Sequence, residues 1–197
     1  MSALVRVPNT PEAAEKVGAV IATSFHDQDV SAWLIPPDDD RRRVMPRFFS
    51  MITEHALTYG EVHATADMSA VAVWLHHDTG APPDVPGYDE RLEAFAGPHT
   101  ERYRLMDEEM RKHHPADPHH YLAFLAVLPG RQGRGAGSLL LEERHRGLDE
   151  NGTAAYLEAS GTDSRRLYLR HGYRDLGDPL ILPGGPSMFP MWRPPNP

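Results

Sequence analysis

The sequence predicts a mixed α/β sheet with a parallel strand–helix–strand crossover in its C-terminal half. Three observations carry this. Extended and helical hydrophobic patterns alternate along the 197 residues. The run "HHYLAFLAVL" (119–128) is apolar almost throughout, as befits a central strand covered on both faces. A glycine cluster then separates it from a leucine-rich helical pattern and a second apolar run, "TAAYLEAS", which is the order of a parallel crossover.

The elements follow in order. Residues 2–7 alternate as a short strand. Thr10 is placed to cap a helix with Pro11 at its first position, running to about Phe25. "HDQDVSAWLIPPDDD" is turn-rich and carries an exposed-looking Trp33. Asp38, Asp39 and Asp40 suit the positive end of a helix that reaches about Tyr59 and stops at Gly60. Residues 61–68 and 69–78 form two antiparallel strands joined by a tight turn, and a Pro/Gly loop, "TGAPPDVPG", follows. Helical pattern resumes near Tyr88, breaks at Gly97-Pro98 and continues to about His113. After the central strand and glycine loop a helix runs to about Glu150. "DSRRLYLRHG" is a short helix with Asp163 as N-cap and Gly172 as stop. "YRDLGD" and "PSMFPMWRP" supply two last strands, and the tail "RPPNP" reads as loose. There is no internal repeat, and the length fits one domain over 1–197.

Composition narrows the function classes. Lysine and arginine total 20 against 28 aspartates and glutamates, a net charge of −8, which disfavours general nucleic-acid binding and either draws in a cationic or amine substrate or serves only solubility. Cysteine is absent, which excludes thiolate metal sites and a cysteine nucleophile. No apolar run is long enough to span a bilayer, and "MSALVRVPNT" lacks the pattern of a signal peptide, so the expected setting is cytoplasmic, with no membrane partner. Charge, cysteine and length leave a monomer and a homodimer equally open.

The glycine loop decides more. From Gly133 or Gly135 the dinucleotide pattern G-x-G-x-x-G/A fails at its sixth position, Ser138 or Leu140. Gly130 and Gly135 have the Walker gap, but Ala136-Gly137 follow where lysine and a hydroxyl are needed. A third pattern, Arg/Gln-x-x-Gly-x-Gly/Ala, is met by Gln132-Gly133-Arg134-Gly135-Ala136-Gly137. In that form the stretch resembles the coenzyme A pyrophosphate loop of the GNAT superfamily of N-acetyltransferases. Its context resembles the family too: a central strand before it, then helix, strand and a short helix closing in "LYLRHGY". Residues 118–174, and more weakly 61–76, are similar to the puromycin N-acetyltransferase type. The weak regions, the N-terminal helices and the segment before the central strand, are those that supply the acceptor site in that family, so the drug itself is not carried over.

The resemblance implies a GNAT acyltransferase fold with splayed parallel strands, and acetyl-coenzyme A as co-substrate. The cofactor-binding core then lies at about 118–175. Gln132, Gly133, Arg134, Gly135, Ala136, Gly137 and Ser138 would hold the pyrophosphate, with Arg131 adding charge. Backbone of Leu125, Ala126 and Val127 would take pantetheine as an added strand. Ser164 stands where many relatives have asparagine; it either touches the cofactor or sits in the first helical turn. Tyr168 matches the tyrosine that protonates the departing thiolate, against the alternative of a packing tyrosine. Glu158 is an acid within an apolar strand, seldom buried without purpose. It is either the base that takes the proton of the amine or an acid paired to an arginine or set at an exposed strand end.

The paired histidines (His76-His77, His113-His114, His119-His120) invite a metal reading. Neighbours on a strand point to opposite faces, however, and no helical His-x-x-x-His or Glu-x-x-His spacing occurs, so the expectation is no metal. Trp33, Tyr103, Asp107, Glu108, Asp27 and Asp29 are candidates for an acceptor pocket. The expected function is direct transfer of acetyl from acetyl-coenzyme A to a primary amine of a small molecule in a ternary complex. The alternatives are a protein N-terminus or lysine as acceptor, and an acyl-coenzyme A sensor without turnover.

Overall fold

The computed structural model describes residues 3–77 and 84–196. Ser2, Asp78, residues 79–83 of the Pro/Gly loop and Pro197 lie outside them. β1 (Leu4–Arg6), α1 (Pro11–Phe25), α2 (Asp29–Leu34) and α3 (Asp38–Tyr59) lead into the hairpin β2 (Gly60–Thr65) and β3 (Ala70–His77). α4 (Tyr88–Ala96), a 3-10 turn (Gly97–His99) and α5 (Thr100–His113) precede β4 (His119–Val127). Then come α6 (Ala136–Glu150), β5 (Ala154–Ala159), α7 (Thr162–Arg170), β6 (Arg174–Asp175), β7 (Leu180–Ile181) and β8 (Ser187–Arg193). The strands lie in the order β1-β2-β3-β4-β5-β8-β6, with β7 paired to β8. β4 and β5 pair in parallel across α6, and the other pairs are antiparallel. The mixed sheet and its crossover are as expected.

Each face of the sheet has its own core. Val17 and Ile21 of α1 and Phe49 and Met51 of α3 bury against one face, with Val62, Val71 and Val73. Leu140 and Leu141 of α6 and Tyr168 of α7 bury against the other, with Trp74 and Leu157. α1 and α3 touch closely at Gly18, where a Cβ would stand 2.3 Å from Ser50 Oγ and 2.6 Å from Ser50 N. Thr10 caps α1 as expected, accepting from Ala13 N at 3.2 Å.

Five details depart from expectation. The turn-rich stretch contains α2, whose six residues are too few to show a period. Trp33 on it is half-buried, donating from Nε1 to Pro183 O at 3.2 Å under the Arg102 guanidinium. α7 is preceded by an extended Gly161 at its N-cap; Asp163 sits in the first turn and pairs with Arg166 at 2.8 Å. β7 is an added strand of two residues. The tail is tied down: Arg193 grips Asp149 through two 2.7 Å bonds, and Asn196 N donates to the same carboxylate at 2.8 Å.

Candidate active site

The site begins where two parallel strands part. β4 and β5 pair only over His119↔Ala154, His120↔Ala155 and Tyr121↔Tyr156. Just beyond, Leu122 lies opposite Trp74 and Phe124 opposite Val73, which leaves Ala123 as an extra residue, a bulge. Ala123 and Phe124 both pack on the α1/α3 face, so side-chain alternation restarts there. β4 then stays on β3, while β5 continues against β8. Leu128 N donates towards β3, to Ser69 O at 2.9 Å. Backbone groups alternate between edges, so Leu125 and Val127 turn theirs to the open edge and Ala126 turns its own to β3. Gln132 Nε2 donates to Val127 O on that open edge at 3.2 Å.

The glycine loop follows. Gly133 and Gly135 have φ of +72° and +85°, and a Cβ on either would meet nothing within 4 Å. The left-handed backbone, not crowding, requires glycine at both. Gly135 caps α6, and the first intrahelical bond runs from Leu139 N to Gly135 O at 2.9 Å. The amides of Ala136, Gly137 and Ser138 therefore have no acceptor in the helix. Arg131 and Arg134 are exposed beside them. Amides at a helix start flanked by two guanidiniums suit an anion such as a pyrophosphate. Ser138 Oγ is engaged by His171 Nε2 at 3.0 Å.

A cavity of about 990 Å³ opens at the parting strands, and Leu125, Glu158, Ser164 and Tyr168 line it. Asp107 and Glu108 of α5 line it as well, whereas Trp33, Tyr103, Asp27 and Asp29 do not. Tyr103 is instead packed on Phe48, ring centroids 4.7 Å apart. Ser164 Oγ donates to Gly161 O at 2.9 Å, in the first turn of α7.

The Glu158 side chain is 1% exposed. Burial pushes its carboxyl up to about 7, against the pull of the Tyr121 and Tyr156 hydroxyls. No arginine pairs with it among the described residues; His114 Nδ1 lies 3.9 Å from Oε1. Burial alone raises the Tyr168 phenol well above its ordinary range, which keeps it protonated. Asp107 is likewise lifted by burial, to about 6, although Tyr88 donates to Oδ2 at 2.7 Å. A proton acceptor poised near neutrality thus shares one cavity with a phenol held in its donor form.

Strand register does what linear spacing could not show. His76 pairs with His120 and His77 with His119 across β3 and β4. Neighbours do point to opposite faces, but each meets its cross-strand partner there. His76 and His120 gather with Glu61, and His77 and His119 with His114. The metal expectation considered one element at a time; both groups are built from several. His114, beside Glu158, was not singled out from sequence, because nothing local distinguishes it from His113.

Residues 103–175 match the family model described as the acetyltransferase (GNAT) domain. Among solved structures, one from Corynebacterium glutamicum described as "histone acetyltransferase HPA2 and related acetyltransferase" is 25% identical, with 100% of this chain and 98% of that chain covered and a TM-score of 0.70. Arylalkylamine N-acetyltransferase 2 from Aedes aegypti is 15% identical over 98% and 99% of the two chains, TM-score 0.65. A polyamine N-acetyltransferase from Drosophila melanogaster is 14% identical over 98% and 100%, TM-score 0.65. Along its length the chain has the fold of GNAT acetyltransferases, and residues 103–175 carry that family's sequence signature.

Proposed function

We propose that this protein transfers the acetyl group of acetyl-coenzyme A to the primary amine of a small molecule, by direct attack in a ternary complex. The observation that carries the reading is one cavity lined by Glu158 and Tyr168 where β4 leaves β5. The thioester supplies an activated acetyl group, and the chain supplies binding and proton management. The amides of residues 136–138, with Gly133, Gly135 and the two arginines, hold the pyrophosphate. Gln132 braces Val127. Leu125 and Val127 offer the open edge to pantetheine as a strand partner would, with Ala126 securing that edge to β3 from behind. Ser164 braces α7 and lies within reach of the same cavity.

Glu158 takes the ammonium proton, and the Tyr168 Oη–H donates to the departing sulfur. Their environments set these roles: burial holds one near neutrality and the other protonated. Asp107 and Glu108 give the acceptor end a negative character that suits a cationic amine. The amine substrates in the names of the mosquito and fly enzymes agree with this. The likeness to puromycin N-acetyltransferases concerns the donor half and leaves the acceptor open. The name of the Corynebacterium structure favours a protein lysine as the second reading.

Thiol release with acetyl-coenzyme A across a panel of polyamines, arylalkylamines, aminonucleosides and lysine peptides separates the readings. Turnover with a small amine at a kcat above about 1 s⁻¹ supports the proposal. Turnover with peptides alone, or tight coenzyme A binding without turnover, refutes it.

A further inference from the structure

His77 ends β3, His119 begins β4, and His114 directly follows α5. The three rings sit at nearly equal spacing: centroids are 4.8 Å apart for His77–His114, 4.9 Å for His77–His119 and 5.0 Å for His114–His119. One nitrogen from each ring lies within 4.8 Å of one from each of the other two. His114 Nε2 lies 3.3 Å from His77 Nδ1 and 3.1 Å from His119 Nε2. Three imidazoles on a tetrahedral ion, each at about 2.0–2.1 Å, place their nitrogens about 3.3–3.4 Å apart and their ring centres a little over ~5 Å apart. The three ring spacings, and the two nitrogen distances made by His114, match these values to within a few tenths of an ångström.

The outer nitrogens are oriented from behind. His119 Nδ1 is 2.7 Å from the carbonyl of Asp117. A carbonyl only accepts, which assigns the proton to Nδ1 and turns the Nε2 lone pair inward. His114 Nδ1 faces Glu158 Oε1 at 3.9 Å. A carbonyl behind the ring is a support that metal-bound histidines use, and His119 has it; the Glu158 carboxyl stands behind His114 beyond hydrogen-bond distance.

We propose that His77, His114 and His119 bind one divalent cation of the zinc class. The ion clamps the end of α5 to β3 and β4 at the rim of the cavity that His77 and His114 line, with its fourth position left to water. The other histidine group shows the contrast. There Arg144 Nε lies 2.6 Å from Glu61 Oε1 and its Nη2 reaches His120, so a cation is already in place. The proposal does not rest on acetyl transfer.

The test uses untagged protein stripped with a chelator and titrated with Co²⁺ and then Zn²⁺. One equivalent of Co²⁺ with the intense visible absorption of a tetrahedral site, displaced by Zn²⁺, is the expected result. Binding should raise the Tm. His77→Ala and His119→Ala should each weaken it at least ~100-fold, because losing a ligand costs no less than losing its support. His76→Ala and His120→Ala should leave it unchanged. If His119→Ala does not fold by circular dichroism, His114→Gln, at a half-buried ring, carries the same test. No binding at about 100 µM Co²⁺, far above the range of a structural site, overturns the proposal. So does a weak octahedral spectrum, or binding that survives loss of His77 or His114.

Discussion

Glu158→Gln tests the proposed base through two independent readouts, both on chelator-stripped protein. The substitution keeps shape and removes ionisation. Burial lifts the Glu158 pKa from 4.5 to about 7. Between those values the folded protein holds a proton that the unfolded chain has released. Stability therefore falls as pH rises from about 4.5 to about 7, and the loss is complete above that. The interval, at about 1.4 kcal/mol per pH unit, amounts to about 3 kcal/mol. Glutamine carries no such penalty, so the variant should gain up to about 3 kcal/mol over the native protein at pH 8 relative to pH 4.5. Urea titrations at the two pH values measure this without knowledge of the acceptor. Activity should move the other way. The working form is the carboxylate, so kcat/KM of the native enzyme rises with pH through about 7, roughly tenfold from pH 6 to pH 8. The glutamine variant should lose that limb and about 10²–10⁴-fold in kcat. An unchanged pH–rate profile refutes Glu158 as base, and equal stability differences at both pH values refute the buried-carboxyl argument beneath it.

Three further outcomes follow from the geometry. Tyr168→Phe should lower kcat by about 10²–10⁴-fold and leave coenzyme A affinity by calorimetry nearly unchanged, since only the proton donor is lost. Gly135→Ala forces a side chain onto a backbone at φ +85° and should cost about 1–2 kcal/mol in denaturant titration while weakening coenzyme A binding. Gly18→Ala puts a Cβ 2.6 Å from Ser50 N, so α1 and α3 must separate; a loss of about 1–3 kcal/mol in thermal unfolding is expected.

Much of the stretch from β4 to α6 was legible in the chain. Residues 119–128 announced a central strand because both faces are apolar, and the glycines at 133 and 135 announced a left-handed turn before a helix. Those are local properties, decided by side-chain volume and by which residues tolerate positive φ. Helix ends at Thr10 and Gly60 were also legible, the first from a side chain that caps and the second from a residue without a Cβ, which the Trp74 backbone leaves no room for. α2 was not, because a six-residue helix is held by the burial of Val30, Ser31 and Leu34 rather than by its own period. Asp163 was misread as a cap because composition does not show which residue turns extended just before α7.

What only the tertiary structure decided concerns residues far apart in sequence. The sequence shows no surroundings for Glu158; the fold puts it in the cavity with Tyr168, paired with no arginine among the described residues, where burial raises its pKa. Asp107 joined that cavity and Trp33 did not, because helix docking, not composition, determines which face looks inward. The bulge at Ala123 depends on register with β3, which no single strand encodes. The histidines make the point most sharply. Strand alternation argued from the sequence that adjacent rings part, and they do. The β3–β4 register then brings each to a partner from another strand, with His114 arriving from the end of α5. By itself the sequence determined the local backbone, the left-handed glycine loop included; convergence of ionisable groups needs long-range pairing, whose free energy is spread over both faces of the sheet.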